Sequence, residues 1–225
     1  PALPNDVARM LRQEAAFGCV RCGHPYIEYH HIIPWAEEQH FRPEDMMAVC
    51  PNCHAAVAKL SQDRQHELKA RAFNRERGIF AGALQYEKSD LAFRVGGTVY
   101  ESVPIILQFR AVPIISCRLA DGQALVSVQL FNRDGDAVLS VIDNEVTFRA
   151  DSLWDFEYAH NWAVARSGPR DIALRFDFRG DQATIEGKLW VGGRQVLLRP
   201  DHTNLPGNNI FSGRVVGCAV GIQVG

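Results

Sequence analysis

Two Cys-x-x-Cys pairs, Cys19/Cys22 and Cys50/Cys53, constrain this chain more than any other feature. Their number and separation are those of a closed, tetrahedral structural zinc site. Between the pairs lies a doubled histidine, His30-His31, and His54 follows the last cysteine directly. Four thiolates complete a zinc shell unaided, so the histidines form a second, separate constellation. The run Tyr26 to Ile33 alternates as a strand does, which puts His30 and His31 on opposite faces. Two such histidines cannot do the same job.

Read in order, the segments are Cys19-x-x-Cys22, His30-His31-Ile32-Ile33-Pro34 and Glu44-Asp45-Met46-Met47-Ala48-Val49-Cys50-Pro51-Asn52-Cys53-His54. In order and spacing they resemble the zinc-bearing version of the HNH endonuclease family, built on a ββα-metal core. The resemblance implies roles. His30 would ligate a catalytic metal, His31 would be the general base, and His54 would be a second metal ligand. Asp45 stands where the family usually carries asparagine, and an ionised carboxylate accepts but does not donate. Two readings of Asp45 are open: it braces the loop through acceptor bonds, the preferred one, or its carboxylate reaches the metal. Many relatives carry another histidine one helical turn after the last, where this chain has Ala58.

The implied chemistry suits these residue types. Phosphodiester hydrolysis needs an in-line nucleophile, a base of near-neutral pKa and a cation on the scissile phosphate. Histidine supplies the base without large tuning. The implied cofactors are a structural Zn²⁺ at the cysteines and a catalytic divalent ion. A water-rich shell favours Mg²⁺ or Mn²⁺, while two imidazoles keep Ni²⁺ and Zn²⁺ in play.

Around this core, Pro4 to Ala16 reads as a helix capped by Asn5 or Asp6, with Val7, Met10 and Leu11 in an apolar stripe. Trp35 to Phe41 reads as a polar loop in which His40 is solvated. From His54 to about Arg77 the pattern predicts one helix. Arg64, Arg71 and Arg75 fall on one of its faces and are the candidate nucleic-acid contacts. An ordinary solvated helix laced with Asp63, Glu67 and Glu76 reads equally well. Helical periodicity stops at Gly78, and 79–90 reads as a linker with Gly82 and a polar end.

Beyond it the texture changes to short β runs at 91–95, 104–110, 113–119, 123–131, 136–142, 145–150, 171–179, 183–191, 194–199 and 214–223. Asp121-Gly122, Asp134-Gly135 and Gly192-Gly193 are turn signals between them. Cys117 and Cys218 read as buried free thiols. Trp154, Phe156, Tyr158 and Trp162 form an aromatic cluster near an expected loop, read as packing or a subunit contact rather than a base-stacking platform.

The expected fold is therefore α+β: an N-terminal HNH domain over 1–78 with flanking helices, a linker over 79–90, and a mostly antiparallel β domain over 91–225, sandwich or barrel-like. The formal charge of −2 in 225 residues gives no general attraction to nucleic acid, so contacts must come from local basic patches. Paired cysteines and the lack of a signal-peptide pattern favour a reducing cytoplasm, and no apolar run approaches a membrane span. The expected function is a metal-dependent endonuclease on DNA, with restriction or anti-phage defence as an analogy. The β domain would serve recognition, regulation or homodimerisation. Two alternatives stand beside it: a catalytically degenerate zinc protein that binds nucleic acid, and an effector switched on when the β domain binds a small molecule or a modified base.

Overall fold

The computed structural model describes residues 2–225. Helix α1 (Asn5–Glu14) begins after Pro4, which stands at the N-cap with no side-chain cap, so neither Asn5 nor Asp6 plays that part. Its buried stripe is Val7, Ala8 and Leu11, while Met10 faces solvent. Leu11 and Val7 pack on Met46, with Tyr29 and Phe41 beside them. The helix then stops abruptly. Ala16 and Phe17 adopt left-handed φ of 47° and 65°, and the Phe17 amide donates back to the Arg12 carbonyl at 2.8 Å. That reversal sends the chain into the first cysteine knuckle.

Strands β1 (Glu28–His31) and β2 (Met46–Val49) pair antiparallel with Glu28 opposite Val49 and His31 opposite Met46. Helix α2 (Pro51–Val57) follows, with Pro51 at its first turn where a missing N–H costs nothing. The single helix expected over 54–77 is instead three. After α2 come α3 (Gln62–Ala70) and α4 (Phe73–Arg77). The break has a local cause: Ser61 is an N-cap whose hydroxyl accepts from the Arg64 amide, so a new helix starts there.

The stretch expected as a linker is built into the β region. Strand β3 (Ile79–Ala83) pairs antiparallel with Glu145–Arg149 at the edge of a sheet, and Leu84 and Tyr86 are buried behind it. The seven strands of that sheet run Val220–Val224, Ile105–Phe109, Val112–Ala120, Gln123–Phe131, Ala137–Ile142, Glu145–Arg149 and β3. A second sheet begins Asp155–Ala159, Trp162–Gly168, Asp171–Asp177, Ala183–Val191 and Arg194–Leu198, then continues through Thr203–Leu205 and Asn209–Phe211. Ala92–Val95, Thr98–Glu101 and Gly213–Val216 complete it off that path. Both sheets are open and mostly antiparallel, and their inner faces contribute to one hydrophobic cluster, as in a sandwich. The aromatic stretch expected near a loop lies largely on strands. Phe156 is in the core and Tyr158 packs against it, while Trp162 is half-buried on the next strand. Cys117 is buried in that core and Cys218 lies half-buried at its margin.

The β region is internally duplicated. Ile105 to Arg149 and Asp155 to Leu198 are each five consecutive antiparallel strands, joined in the same order by short turns and one longer loop. Glu101-Ser102-Val103 before the first meander is answered by Asp151-Ser152-Leu153 before the second, and Val103 and Leu153 are both buried.

The cysteine-knuckle module and the sheets share buried surface. Phe17 packs on Phe148 and Phe156 with ring centroids 5.7 and 6.4 Å apart. Arg12 forms a two-pronged ion pair with Asp155, at 2.9 and 2.7 Å, and donates to the Tyr29 hydroxyl at 3.0 Å. The Asp155 side chain is only 4% exposed. Removing one partner leaves the other charge buried and uncompensated, so Asp155→Ala is expected to cost about 3–5 kcal/mol in urea unfolding. Arg12→Ala/Asp155→Ala together should cost less than the two singles summed.

Candidate active site and metal centre

The four cysteines converge. Every sulfur lies within 4.8 Å of the others, with Cys22 at 3.7 Å from Cys50 and 3.6 Å from Cys53. A tetrahedral site with metal–sulfur bonds of about 2.3 Å has sulfur–sulfur edges of about 3.8 Å, and a disulfide would bring two sulfurs to about 2.05 Å. The spacing is that of a metal cage. Burial and the neighbouring sulfurs push the Cys53 thiol well above its ordinary range, so four thiolates share this volume only around a cation. Backbone bonds shape the knuckles: the Gly23 amide reaches the Cys19 carbonyl at 2.8 Å and the Val20 amide reaches Ala48 at 3.0 Å. Gly23 has φ +76°, and a Cβ there would strike the Asn74 side chain. Asn74, buried on α4, in turn donates to the Ala16 carbonyl at 3.2 Å.

The histidines form a second centre. His30 and His54 meet edge to face with ring centroids 5.0 Å apart. His30 Nε2 lies 2.8 Å from Gln65 Oε1, and Gln65 Nε2 donates to the Leu60 carbonyl at 2.9 Å. That second bond fixes the amide so that its oxygen faces His30, which makes His30 Nε2 the protonated nitrogen. His54 Nδ1 lies 2.9 Å from Glu28 Oε2 and donates to it. Each ring therefore has one nitrogen held as a donor to oxygen. The other nitrogens, Nδ1 of His30 and Nε2 of His54, have no hydrogen-bond partner among the described residues. This is how protein oxygens prepare imidazoles for metal.

Burial pushes the His30 imidazolium below its ordinary pKa of 6.5, with the His54 and His31 charges adding to the effect and the Gln65 bond opposing it. A ligand ring must be neutral, and burial favours that state. An imidazole NMR titration of the zinc-loaded protein is expected to place His30 below 6.5; a value above it would contradict this geometry.

His31 turns the other way, as strand alternation requires. Its Nε2 donates to the His40 carbonyl at 3.1 Å, which leaves Nδ1 as the basic nitrogen. Trp35, His40 and Phe41 surround it at centroid distances of 5.4, 5.1 and 6.2 Å. His40, expected in solvent, is buried. Its Nε2–H donates to the Ile33 carbonyl at 3.1 Å and its Nδ1 accepts from the Arg42 amide at 3.2 Å, so it organises the loop that holds His31.

Asp45 lies with the loop, in the short 3₁₀ turn Pro43–Asp45. Its carboxylate accepts from Arg42 Nε at 2.8 Å, and its carbonyl accepts from the Ile32 amide at 2.8 Å. His66 is the imidazole within ion-pair reach of it, at 3.8 Å. Ala58 caps the end of α2, exposed.

The three candidate nucleic-acid arginines are not brought onto one face, because their helix is broken. Arg64 and Arg71 line a common hollow of about 390 Å³ with Glu67 and Glu76, their respective ion-pair partners. Arg75 directs its donors to the Gln13 and Glu14 carbonyls at the end of α1, at 2.6 and 3.2 Å. Glu28, Gln65 and Asn74 are site residues that sequence reasoning did not single out.

Residues 19–59 match the sequence profile of the HNH endonuclease family. No curated protein and no solved structure matches the chain. No helix among the described residues is long and apolar enough to cross a membrane.

Proposed function

We propose that this protein is a metal-dependent HNH endonuclease that hydrolyses phosphodiester bonds in DNA. The observation that carries the reading is the paired preparation of His30 and His54, whose rings are 5.0 Å apart and each tied through one nitrogen to an acceptor oxygen. The donor set fits a divalent cation that keeps water and phosphate oxygens for the rest of its shell, with Mg²⁺ or Mn²⁺ favoured and Ni²⁺ or Zn²⁺ compatible. When bound, such an ion neutralises charge developing on the phosphate and the leaving oxygen.

The chain's own groups do the rest. His31 takes the proton of the attacking water at Nδ1, and the His40 carbonyl holds the ring in that tautomer through Nε2–H. Asp45 and Arg42 brace the loop that carries His40. Arg42 reaches Glu38 with two bonds of 2.5 and 2.9 Å while it holds Asp45. The four-cysteine zinc is structural and fixes α2, and with it His54, against β1.

Glu28 and Gln65 are positioning residues in this scheme. Glu28→Gln is expected to raise the cation concentration for half-maximal cleavage roughly 10–100-fold with zinc content unchanged. An unchanged metal requirement would remove Glu28 from the scheme.

One observation favours a second reading, a zinc-containing nucleic-acid-binding protein that no longer cuts. Among the described residues the four cysteines alone gather three or more metal-ligating side chains, and Ala58 supplies no third imidazole. Cleavage of supercoiled plasmid by the zinc-loaded protein separates the two. The endonuclease nicks or linearises it with Mg²⁺, Mn²⁺ or Ni²⁺ and stops in EDTA. The binding protein stays silent in every metal. A single site cuts one strand, so early linear product would point to paired copies. Restriction, defence against phage and gating by a ligand of the β region are compatible roles that rest on the same nuclease reading.

A further inference from the structure

The outward face of the second sheet carries a charge pattern the site above does not use. On its central strands Ala163, Ala165, Leu174, Phe176, Leu189 and Val191 are buried inward. The alternate positions therefore face out, among them Trp162, Arg166, Arg175 and Lys188. Two hollows of about 530 and 260 Å³ lie along this face, and a third of about 200 Å³ lies at the sheet's edge beside Asp155–Ala159. Arg175 lines the first two, and Glu157 and Trp162 line the last two, so the hollows adjoin end to end and outline a groove. The third hollow ends on Tyr29 of β1, the residue before His30. The groove runs from the sheet to the strand that carries the histidine doublet.

Its lining is cationic in a chain whose net charge is −2. The first two hollows hold six Arg or Lys side chains and four carboxylates. Each carboxylate answers one cation: Lys188–Asp171 at 2.5 Å, Arg179–Asp177 at 2.6 Å, Arg166–Glu157 at 3.0 Å and Arg175–Glu186 at 3.8 Å. Arg170 and Arg199 are left without a carboxylate partner among the described residues. Arg179 also lies over the Trp162 ring, 5.5 Å from its centroid, which places an aromatic face and a guanidinium together in the groove.

Resting on the reading that this chain acts on nucleic acid, we propose that this groove is the track for the substrate's phosphodiester backbone, with Arg170 and Arg199 neutralising phosphates away from the cutting site. A sheet face with surplus arginine suits sequence-independent phosphate contact. The β region then has a role in the reaction, because it holds the duplex in register with His31.

The test is binding, read without added divalent metal so that cutting plays no part. Fluorescence anisotropy of a labelled DNA duplex is followed across roughly 50–200 mM salt. Arg170→Glu/Arg199→Glu is expected to weaken binding at least tenfold and to reduce the log K against log salt slope by about 1.8, for two phosphate contacts at about 0.9 each. Arg118→Glu, on the other sheet, is expected to leave both unchanged. Arg170→Gln/Arg199→Gln repeats the test with a milder change, and urea midpoints confirm that each variant is folded. Wild-type binding by both double variants overturns the proposal, as does an equal loss in Arg118→Glu or no salt-dependent binding by the wild type. The nuclease reading fails separately. If no metal activates cleavage but the double variants lose binding, the groove stands; if cleavage is robust and binding is unmoved, the groove alone falls.

Discussion

Cys50→Ser is expected to unfold the knuckles and the β1–β2–α2 core and to release zinc. Cys50 is buried at the point where β2 hands over to α2, and its sulfur sits 3.7 Å from that of Cys22. The apolar cluster around it is small, consisting of Ala15, Val20, Ile32, Met47, Ala48, Val49, Val57 and Ala72 beside the cysteines. A core of that size does not hold without a staple. Structural zinc contributes roughly 10–16 kcal/mol of apparent binding free energy at neutral pH in small zinc modules, and that energy is folding energy. Metal analysis is expected to find about one tightly held zinc per wild-type chain and none in the variant. Amide NMR is expected to show lost dispersion in the N-terminal residues and retained sheet signals. A variant that keeps its zinc and its spectrum would contradict the four-sulfur cage.

The second large effect is catalytic. His31→Ala is expected to lower the cleavage rate by about 10²–10⁴-fold, the range a positioned general base contributes. Zinc content and the urea midpoint should not move, because His31 is half-buried and its bond is to the His40 carbonyl, not to the knuckles. His40→Ala should also impair cleavage, through the loop, since the His40 ring ties Ile33 to Arg42. It differs in being destabilising. Cleavage by His31→Ala at the wild-type rate would assign the base elsewhere.

The metal cage was legible because ligand chemistry ties four cysteines to a spacing that survives any detail of the fold. The doublet was legible for a related reason: alternation along a strand decides that His30 and His31 diverge. The second layer was not. Gln65 reaches His30 only because Ser61 restarts the helix, and an N-cap serine after Leu60 was the signal that the expected long helix missed. Glu28 was visible two residues before His30 on the same strand face, yet its partner His54 comes from another element, and periodicity does not pair elements. His40 reads as a polar loop residue and is buried with its ring bonded to two backbone groups, the Ile33 carbonyl and the Arg42 amide.

The β region taught the opposite lesson. Strands bounded by Asp121-Gly122 and Gly192-Gly193 stood out, since these turns need positive φ and their residues tolerate it. Arg110-Ala111 makes the same kind of turn at φ 47° and 67° with residues that give no such signal. Asp155–Ala159 and Trp162–Gly168 were masked by aromatic and charged residues that read as a loop, though their outward charges pair across strands. β3 was hidden by Gly82 and by its distance in sequence from its partner strand. The duplication would have exposed most of these, because the second meander repeats the strand order of the first.

In the proposed mechanism His30 and His54 hold a divalent cation beside the base, apart from the zinc. The most direct measurement is Mn²⁺ anomalous scattering from crystals of the zinc-loaded protein soaked in manganese, for wild type and His54→Ala. One manganese peak is expected between the two imidazoles, distinct from the four-cysteine zinc peak and absent in His54→Ala. Manganese elsewhere, or a peak that survives loss of His54, would contradict it.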